Sequence, residues 1–329
     1  MRILKIEKND AGQRLDKFLT KAVKGLPQSL MYKFLRTKKI KLNRKRAEPK
    51  TMLCEGDEVQ LFIRDEFFDS PESDTSAYTR IEPKLDIVYE DENILLLNKR
   101  PGVLVHEDDD GKDNTLVMHM QAYLYRKGEY APDGEQSFAP ALCNRIDRNT
   151  GGIVIAAKNA AALRDMNERI RLGEVKKFYL CAVHGIPEKR ADVLRAYLRK
   201  DSATNTVAIS DRKRDGYKEI ITGYRTLATV GRGESARSLV EIELFTGRTH
   251  QIRAHMAHIG HPLCGEGKYG VNREDKKLGY KWQALYSYRV GFAFEKKGST
   301  LDYLSGKEFS LSYDDVWFCS DFGVGKYGK

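Results

Sequence analysis

The chain has 329 residues, 41% hydrophobic and 32% charged, with a net charge of +10. That is an ordinary soluble composition, long for one domain and comfortable for two, with ample material for a core. No apolar run approaches the roughly 18 residues needed to cross a bilayer, the start MRILKIEKND lacks the apolar centre of a signal peptide, and five widely spaced cysteines without a C-x-x-C pair argue against a disulfide frame or a zinc ribbon. These features predict a cytoplasmic protein with no membrane segment.

The charge is localised. Residues 1–64 hold 17 Lys and Arg against 7 Asp and Glu, whereas the remainder is balanced at 40 and 40. A basic excess confined to one segment is an electrostatic footprint for a polyanion. Within it, Leu15, Phe18, Leu19 and Ala22 recur at helical spacing, and Leu30, Met31, Phe34 and Leu35 predict a second helix with Ser29 as N-cap. Residues 33–46 carry eight basic side chains and no acid, among them Arg36, Lys38, Lys39, Lys41, Arg44, Lys45 and Arg46. The Glu55-Gly56-Asp57 turn followed by Val59, Leu61 and Ile63 reads as a closing hairpin over Thr51 to Ile63. The pattern RLDKFL…LP.S…LNR…EGDEVQLF resembles the S4 RNA-binding domain, which implies that residues 1–64 grip RNA through the seven cations named. Lys39 and Arg44 stand where that family commonly has Gly. Residues 65–82, polar, acidic and without a period, read as a linker that gives the modules freedom, with Phe67 and Phe68 anchoring one end.

A second domain spans 83–329. Asp86–Val88 and Ile94–Asn98 read as strands joined by a turn, Leu116–Tyr125 as a helix and residues 127–138 as a polar loop. In ALCNRIDRNTGGIVIAAK, residues 141–158, a Thr-Gly-Gly turn opens onto the buried run Ile153–Ala157, which places Asp147 at the lip of a sheet between Arg145 and Arg148. Asn159–Arg171 is a helix with Asn159 as N-cap and Gly173 as its stop. Lys176–Val183 is a strand with Phe178 and Tyr179 on opposite faces. Residues 199–217 are a hairpin or a flexible insertion, and Ser238–Phe245 is a strand.

In TGRTHQIRAHMAHIGHPLCGEGKYG, residues 246–270, Thr249 to Ile259 reads as a helix with Ile252, Met256 and Ile259 as its apolar stripe. His250, Arg253, Ala254 and Ala257 share another face, so Arg253 can be held against a neighbour and offered to a carboxylate. His250, His255, His258 and His261 fall here, but their spacing does not match HExxH and no acid lies among them, so no metal is expected. The loop GEGKYG lacks the form of a phosphate-binding loop.

The residues Asn144-Arg145-Ile146-Asp147 with Thr150 and Gly152 are similar to the H-R-L-D-x-x-T-S-G signature of the RluA-type pseudouridine synthases. Lys177-Phe178-Tyr179-Leu180 and TGRTHQIR at 246–253 match two further motifs of that family in the same order. Asn144, Gly151 and Tyr286 stand where the family commonly has His, Ser and His. The resemblance implies isomerisation of uridine in structured RNA, a reaction that needs no oxidant, energy source or cofactor. It implies that Asp147 acts on the nucleoside, attacking the ribose or the base or abstracting a ribose proton, and the sequence does not choose. It further implies that Arg253 orients Asp147, that Tyr179 stacks on the target base, that Arg145 fills the helix gap or holds phosphate once the base is flipped out, and that Ile252 and Leu285 wall the pocket.

The expectation is therefore an α+β protein: a small S4-like RNA-binding domain, then a mixed, mostly antiparallel catalytic sheet with flanking helices, the pseudouridine synthase fold. It acts as a monomer on RNA, ribosomal before transfer RNA. The alternatives are a non-catalytic RNA-binding ribosome-assembly factor and a metal-dependent RNA hydrolase built on the histidines.

Overall fold

Residues alternating in and out at period two build two separate sheets. The computed structural model describes residues 1–68, 80–107, 114–201, 203–270, 273–295 and 297–325. In the amino-terminal part, β1 (Arg2–Lys5), β2 (Ile40–Leu42), β3 (Lys45–Arg46) and β4 (Glu58–Leu61) form an antiparallel sheet in the order β1-β4-β2-β3. Helices α1 (Leu15–Ala22) and α2 (Gln28–Arg36) cover one face. Leu15, Phe18, Leu19, Met31 and Leu35 pack there against Ile40, Val59 and Leu61 in one core.

Two local expectations are corrected here. Ser29 lies inside α2, whose N-cap is Pro27 without a side-chain cap. Thr51 to Ile63 is not a closing hairpin: β4 alternates as expected but sits between two distant strands, Leu61 facing Arg2 on one side and Ile40 on the other. The hairpin is β2–β3, turning at Asn43 and Arg44 with φ of 50° and 65°. Left-handed φ at both turn positions is the twist-matched hairpin geometry that glycine adopts most easily, which is why Gly suits the place that Arg44 occupies.

Of the expected linker, 65–82, only residues 65–68 and 80–82 lie among those described. Phe67 and Phe68 do anchor its start: Phe67 meets Phe34 edge-on, ring centres 6.0 Å apart, and the Arg2 guanidinium lies 4.3 Å above Phe68. The expected freedom between modules gives way to a docked interface. Asn9 Nδ2 donates to Glu135 at 2.7 Å, Gln13 Nε2 to Ser137 Oγ at 2.7 Å and Gln136 Nε2 to the Lys5 carbonyl at 2.6 Å; Ser137 Oγ also donates to Asp10. The Ala160 amide donates to Asn9 Oδ1 at 3.2 Å. Polar side chains that lock together across more than a hundred residues leave no periodic trace.

The second sheet takes β5 (Ile87–Glu90), β6 (Ile94–Lys99), β7 (Ala141–Leu142), β8 (Gly151–Ala157), β9 (Val175–His184), β10 (Ala191–Asp201), β11 (Thr206–Ser210), β12 (Lys218–Val230), β13 (Arg237–Leu244), β14 (Leu285–Phe292) and β15 (Glu308–Ser310). Its main path is β11-β10-β12-β13-β9-β14-β8-β6-β5. Among the described strands only β8 and β14 pair in parallel, so the sheet is mixed and mostly antiparallel. The unbroken apolar runs of β6 and β8 are explained by burial on both faces. Leu95, Leu97 and Val154 point to helix α3 (Leu116–Arg126), while Leu96, Ile153 and Ile155 point to α4 (Ala160–Leu172). Asn159 caps α4 by accepting from the Ala162 amide, and Gly173 ends it at φ 76°. Residues 199–217 resolve the two readings in favour of a hairpin, β10 with β11. Among the described residues no helix is long and apolar enough to cross a membrane.

Candidate active site

The site forms where β8 and β14 begin side by side. Gly151 and Gly152 are not a turn, as expected, but the first two residues of β8, facing Tyr286 and Ser287. A β-carbon on Gly151 would lie 2.2 Å from the Tyr286 ring, and one on Gly152 would lie 2.1 Å from the Ser287 carbonyl oxygen. Gly152 must be glycine for the strands to close on the Ser287 backbone, and Gly151 must be so while the Tyr286 ring lies across from it. The preceding loop carries Asp147 and is pinned at several points. Asn144 Oδ1 accepts the Ile155 amide at 2.8 Å, the Thr150 amide closes a turn on the Asp147 carbonyl at 3.0 Å, and Gln283 Nε2 reaches Thr150 Oγ1 at 3.2 Å. Lys99, 1% exposed at the end of β6, donates to the carbonyls of Arg100, Val103 and Arg148 at 3.1, 2.8 and 2.8 Å. Burial pulls its ammonium down to about 7, and nearby Asp147 pulls the other way.

Arg253 arrives on helix α5 (Gln251–His258), shorter than the expected Thr249 to Ile259. Gln251 is the peg that seats it. Its Oε1 accepts from Thr246 Oγ1 and the Arg248 amide at 2.9 and 3.1 Å, and its Nε2 donates to the Ile221 carbonyl and Thr222 Oγ1 at 3.1 and 3.0 Å. His250 lies just outside the helix at φ 52°, not on a helical face with Arg253.

All three nitrogens of the Arg253 guanidinium are engaged. Nη1 donates to Asp147 Oδ2 at 2.8 Å, while Nε and Nη2 both donate at 2.7 Å to the two oxygens of Glu266, a fully buried residue in the GEGKYG loop. Glu266 Oε1 also accepts the Lys268 amide at 2.8 Å. Burial opposes the charge on Glu266, but the Arg253 contacts hold its pKa below the ordinary value. The same contacts outweigh burial at Arg253 and raise its pKa. Tyr269 Oη accepts the Val207 amide at 2.9 Å and lies 2.8 Å from His250 Nδ1. A tyrosine proton directed at Nδ1 leaves the Nε2 proton of a neutral imidazole facing Asp147, 3.9 Å from Oδ2. Burial takes His250 down to about 4, against the pull of Asp147. Asp147 itself is 27% exposed, and among the described residues its Oδ1 receives no hydrogen bond.

Beneath the carboxylate lies an apolar floor in which Tyr179, Ile252 and Leu285 pack together with Ile146 at its edge. The Tyr179 hydroxyl bonds Ser287, and burial lifts it to about 12. Thus Asp147, Arg253, Tyr179, Ile252 and Leu285 converge. Arg145 is exposed on the same loop, and Arg148 instead donates to the Gly102 carbonyl at 3.2 Å. Arg36, Lys38, Lys39, Arg44, Lys45 and Arg46 are exposed and Lys41 half-buried on the other domain, all without an ion pair among the described residues. Glu266, Lys99 and the role of His250 escaped the sequence reading; an acid in the loop just past a helix that carries a buried arginine was the available signal.

The four clustered histidines do not converge. His250 turns to Tyr269, His255 to Thr222, His258 to Asp211 and His261 to the His184 carbonyl. His184, Cys264 and Asp275 do bring donor atoms within 4.8 Å of one another. Burial lifts the Cys264 thiol to about 12, and His184 and the Gly265 amide both direct their bonds at Asp275.

The Asp147 carboxylate is thus held by one N–H of a fixed arginine, with one oxygen open and an apolar cluster beside it. Residues 93–258 match the family model for RNA pseudouridylate synthase, and residues 13–59 match that for the S4 domain. The chain is 31% identical to the ribosomal large subunit pseudouridine synthase C of Haemophilus influenzae, over 92% of this chain and 90% of that one. It is 30% identical to the protein of the same name from Escherichia coli K12, over 91% and 90%. In fold it is similar to human RNA pseudouridylate synthase domain containing 1, with a TM-score of 0.52 and 22% identity over 72% of this chain and 96% of the other.

Proposed function

The chain belongs to the RNA pseudouridylate synthase family, and from that premise we propose that Asp147 is the group through which it isomerises uridine, on large-subunit ribosomal RNA. The observation that carries the assignment is the division of labour at the carboxylate: Oδ2 is held by Arg253 at 2.8 Å while Oδ1 is left open. The held oxygen fixes direction and the open one meets the nucleoside, whether it attacks ribose or base or takes a ribose proton. The reaction breaks the N-glycosidic bond and rejoins the base through carbon, so it balances without redox change.

The other roles follow from position. Arg253 orients the carboxylate and keeps it charged. Tyr179, Ile252 and Leu285 form the surface on which the flipped base lies, with the Tyr179 hydroxyl, neutral up to about 12, available to pass a proton. Arg145, exposed beside the site, takes the gap or the phosphate left by a flipped uridine. Residues 1–64 supply the grip on RNA through Arg36, Lys38, Lys39, Lys41, Arg44, Lys45 and Arg46, residues 65–82 the connection, and 83–329 the catalytic unit. The names of the relatives favour ribosomal over transfer RNA as substrate. A monomer in the cytoplasm suffices for this work.

The test is Asp147→Asn assayed on transcribed large-subunit ribosomal RNA and, in parallel, on transfer RNA. Loss of pseudouridine with RNA binding intact supports the assignment. Product from the variant would remove Asp147 from the chemistry, and a wild type that binds RNA but forms no pseudouridine would leave an RNA-binding assembly factor. Wild-type activity on transfer RNA alone would move the substrate.

A further inference from the structure

The helices cover only one face of the amino-terminal sheet. Strand register places Ile3 opposite Gln60, Gln60 opposite Lys41 and Lys41 opposite Arg46, so these four share the face away from the helices, with Gln60 buried among its neighbours. Phe62, two residues beyond Gln60, stands on the same side: it is 45% exposed, and Lys41 Nζ lies 5.3 Å from its ring centre. Beside it opens a groove of about 580 Å³ lined by Phe62, Ile63, Phe34, Phe67, Leu30 and Lys39, with Arg64 and Glu66 at the rim. Lys39 Nζ lies 5.4 Å over the Phe34 ring, and the one acid is answered by Arg64 at 3.5 Å.

Lys39 and Lys41 account for attraction to phosphate, and the exposed Phe62 ring beside Lys41 adds a flat apolar face next to that charge. An exposed aromatic face beside the sheet, bordered by Lys39 and Lys41, which have no ion pair among the described residues, is the combination on which single-stranded nucleic acid stacks its bases while the backbone follows the charge. A paired helix offers no base face to such a platform, so the occupant has to be unpaired. We propose that the groove between Phe62 and Phe34 binds an unpaired nucleotide of the RNA substrate, its base stacked on Phe62 and its phosphate held by Lys39 and Lys41. This rests on the RNA-modifying reading above and adds a second site to it, in the amino-terminal domain.

The probes are two labelled RNA hairpins of identical stem, one blunt and one with a single-stranded tail of uridines, titrated against the full chain by fluorescence anisotropy. The wild type is expected to prefer the tailed hairpin by about five- to one-hundred-fold, the range for one stacked base. Phe62→Leu keeps the apolar bulk at an exposed position and should lose that preference without changing affinity for the blunt hairpin or the salt slope. Phe62→Tyr keeps a ring face and should retain the preference. Equal preference in F62L and wild type overturns the site, and equal weakening on both hairpins assigns Phe62 to the fold or to a protein partner instead. A wild type that binds both hairpins without preference overturns this inference alone. A wild type that binds neither overturns the RNA reading itself.

Discussion

Arg253 and Arg44 carry the same guanidinium and sit in opposite worlds. Arg253 is 6% exposed and directs its nitrogens at two carboxylates, Glu266 and the proposed catalytic Asp147. Arg44 is exposed at a hairpin tip, with no ion pair among the described residues. A buried charge network is costly to assemble and fails as a unit when one member is removed. A field of exposed cations is additive, screened by salt and tolerant of single losses. The molecule thus separates precision from attraction, placing the first in the second sheet and the second in the small one.

Four measurements press on that separation. The largest effect belongs to Asp147→Asn, which should lower single-turnover pseudouridine formation by about a thousand-fold or more while leaving the RNA dissociation constant within about two-fold. An equal loss of both would mean that the carboxylate serves binding. Next comes Glu266→Gln. It leaves Arg253 without its bidentate partner, so stability should fall by about 3–5 kcal/mol, read from denaturant midpoints. The surviving fold should turn over slowly at unchanged KM, because the guanidinium is then free to swing onto Asp147; a changed KM with normal kcat would deny Glu266 its positioning role.

A smaller effect is expected from pH. His255, 2% exposed against Thr222, is brought by burial from its ordinary 6.5 down to about 4, and His250 behaves alike. Between those values the unfolded chain binds protons that the folded chain refuses, so stability falls as pH drops from 6.5 to 4. Each imidazole contributes a slope of about 1.4 kcal/mol per pH unit at most. His255→Gln should flatten the profile by one such share, and an unchanged slope would mean that the folded imidazole accepts its proton. The smallest effect is Lys45→Ala, which should weaken RNA binding a few-fold and reduce the slope of log K against log salt by about one. A loss of turnover at saturating RNA would show that the two regions are coupled after all.

Most of what the sequence disclosed came from local pattern and residue chemistry. The period of Leu15, Phe18 and Leu19 marked a helix, the run Ile153–Ala157 marked a buried strand, and Asn159 with Gly173 marked both ends of α4. Asp147 and Arg253, 106 residues apart, could be joined only through the motifs that contain them, and the structure joins them at 2.8 Å. What stayed hidden depends on distant partners. β4 is a strand by its own alternation, but its two neighbours lie elsewhere in the chain. Glu266 is one acid in a polar loop until α5 brings Arg253 against it. Gly151 and Gly152 spell a turn in one dimension and a strand in three, because the reason for them is the Tyr286 ring and the Ser287 backbone across the sheet.

That last contact makes two distant positions depend on each other. Gly151 and Tyr286 both depart from the family pattern at which this chain otherwise aims, Ser and His, and the tyrosine ring occupies the space that a β-carbon at 151 would need. Its hydroxyl then donates to Asn98 Oδ1 at 2.9 Å, tying β14 to β6 across β8. The two positions are therefore coupled: with the Tyr286 ring in place a β-carbon at 151 has no room, so a side chain at 151 fits only where residue 286 is smaller or turned away.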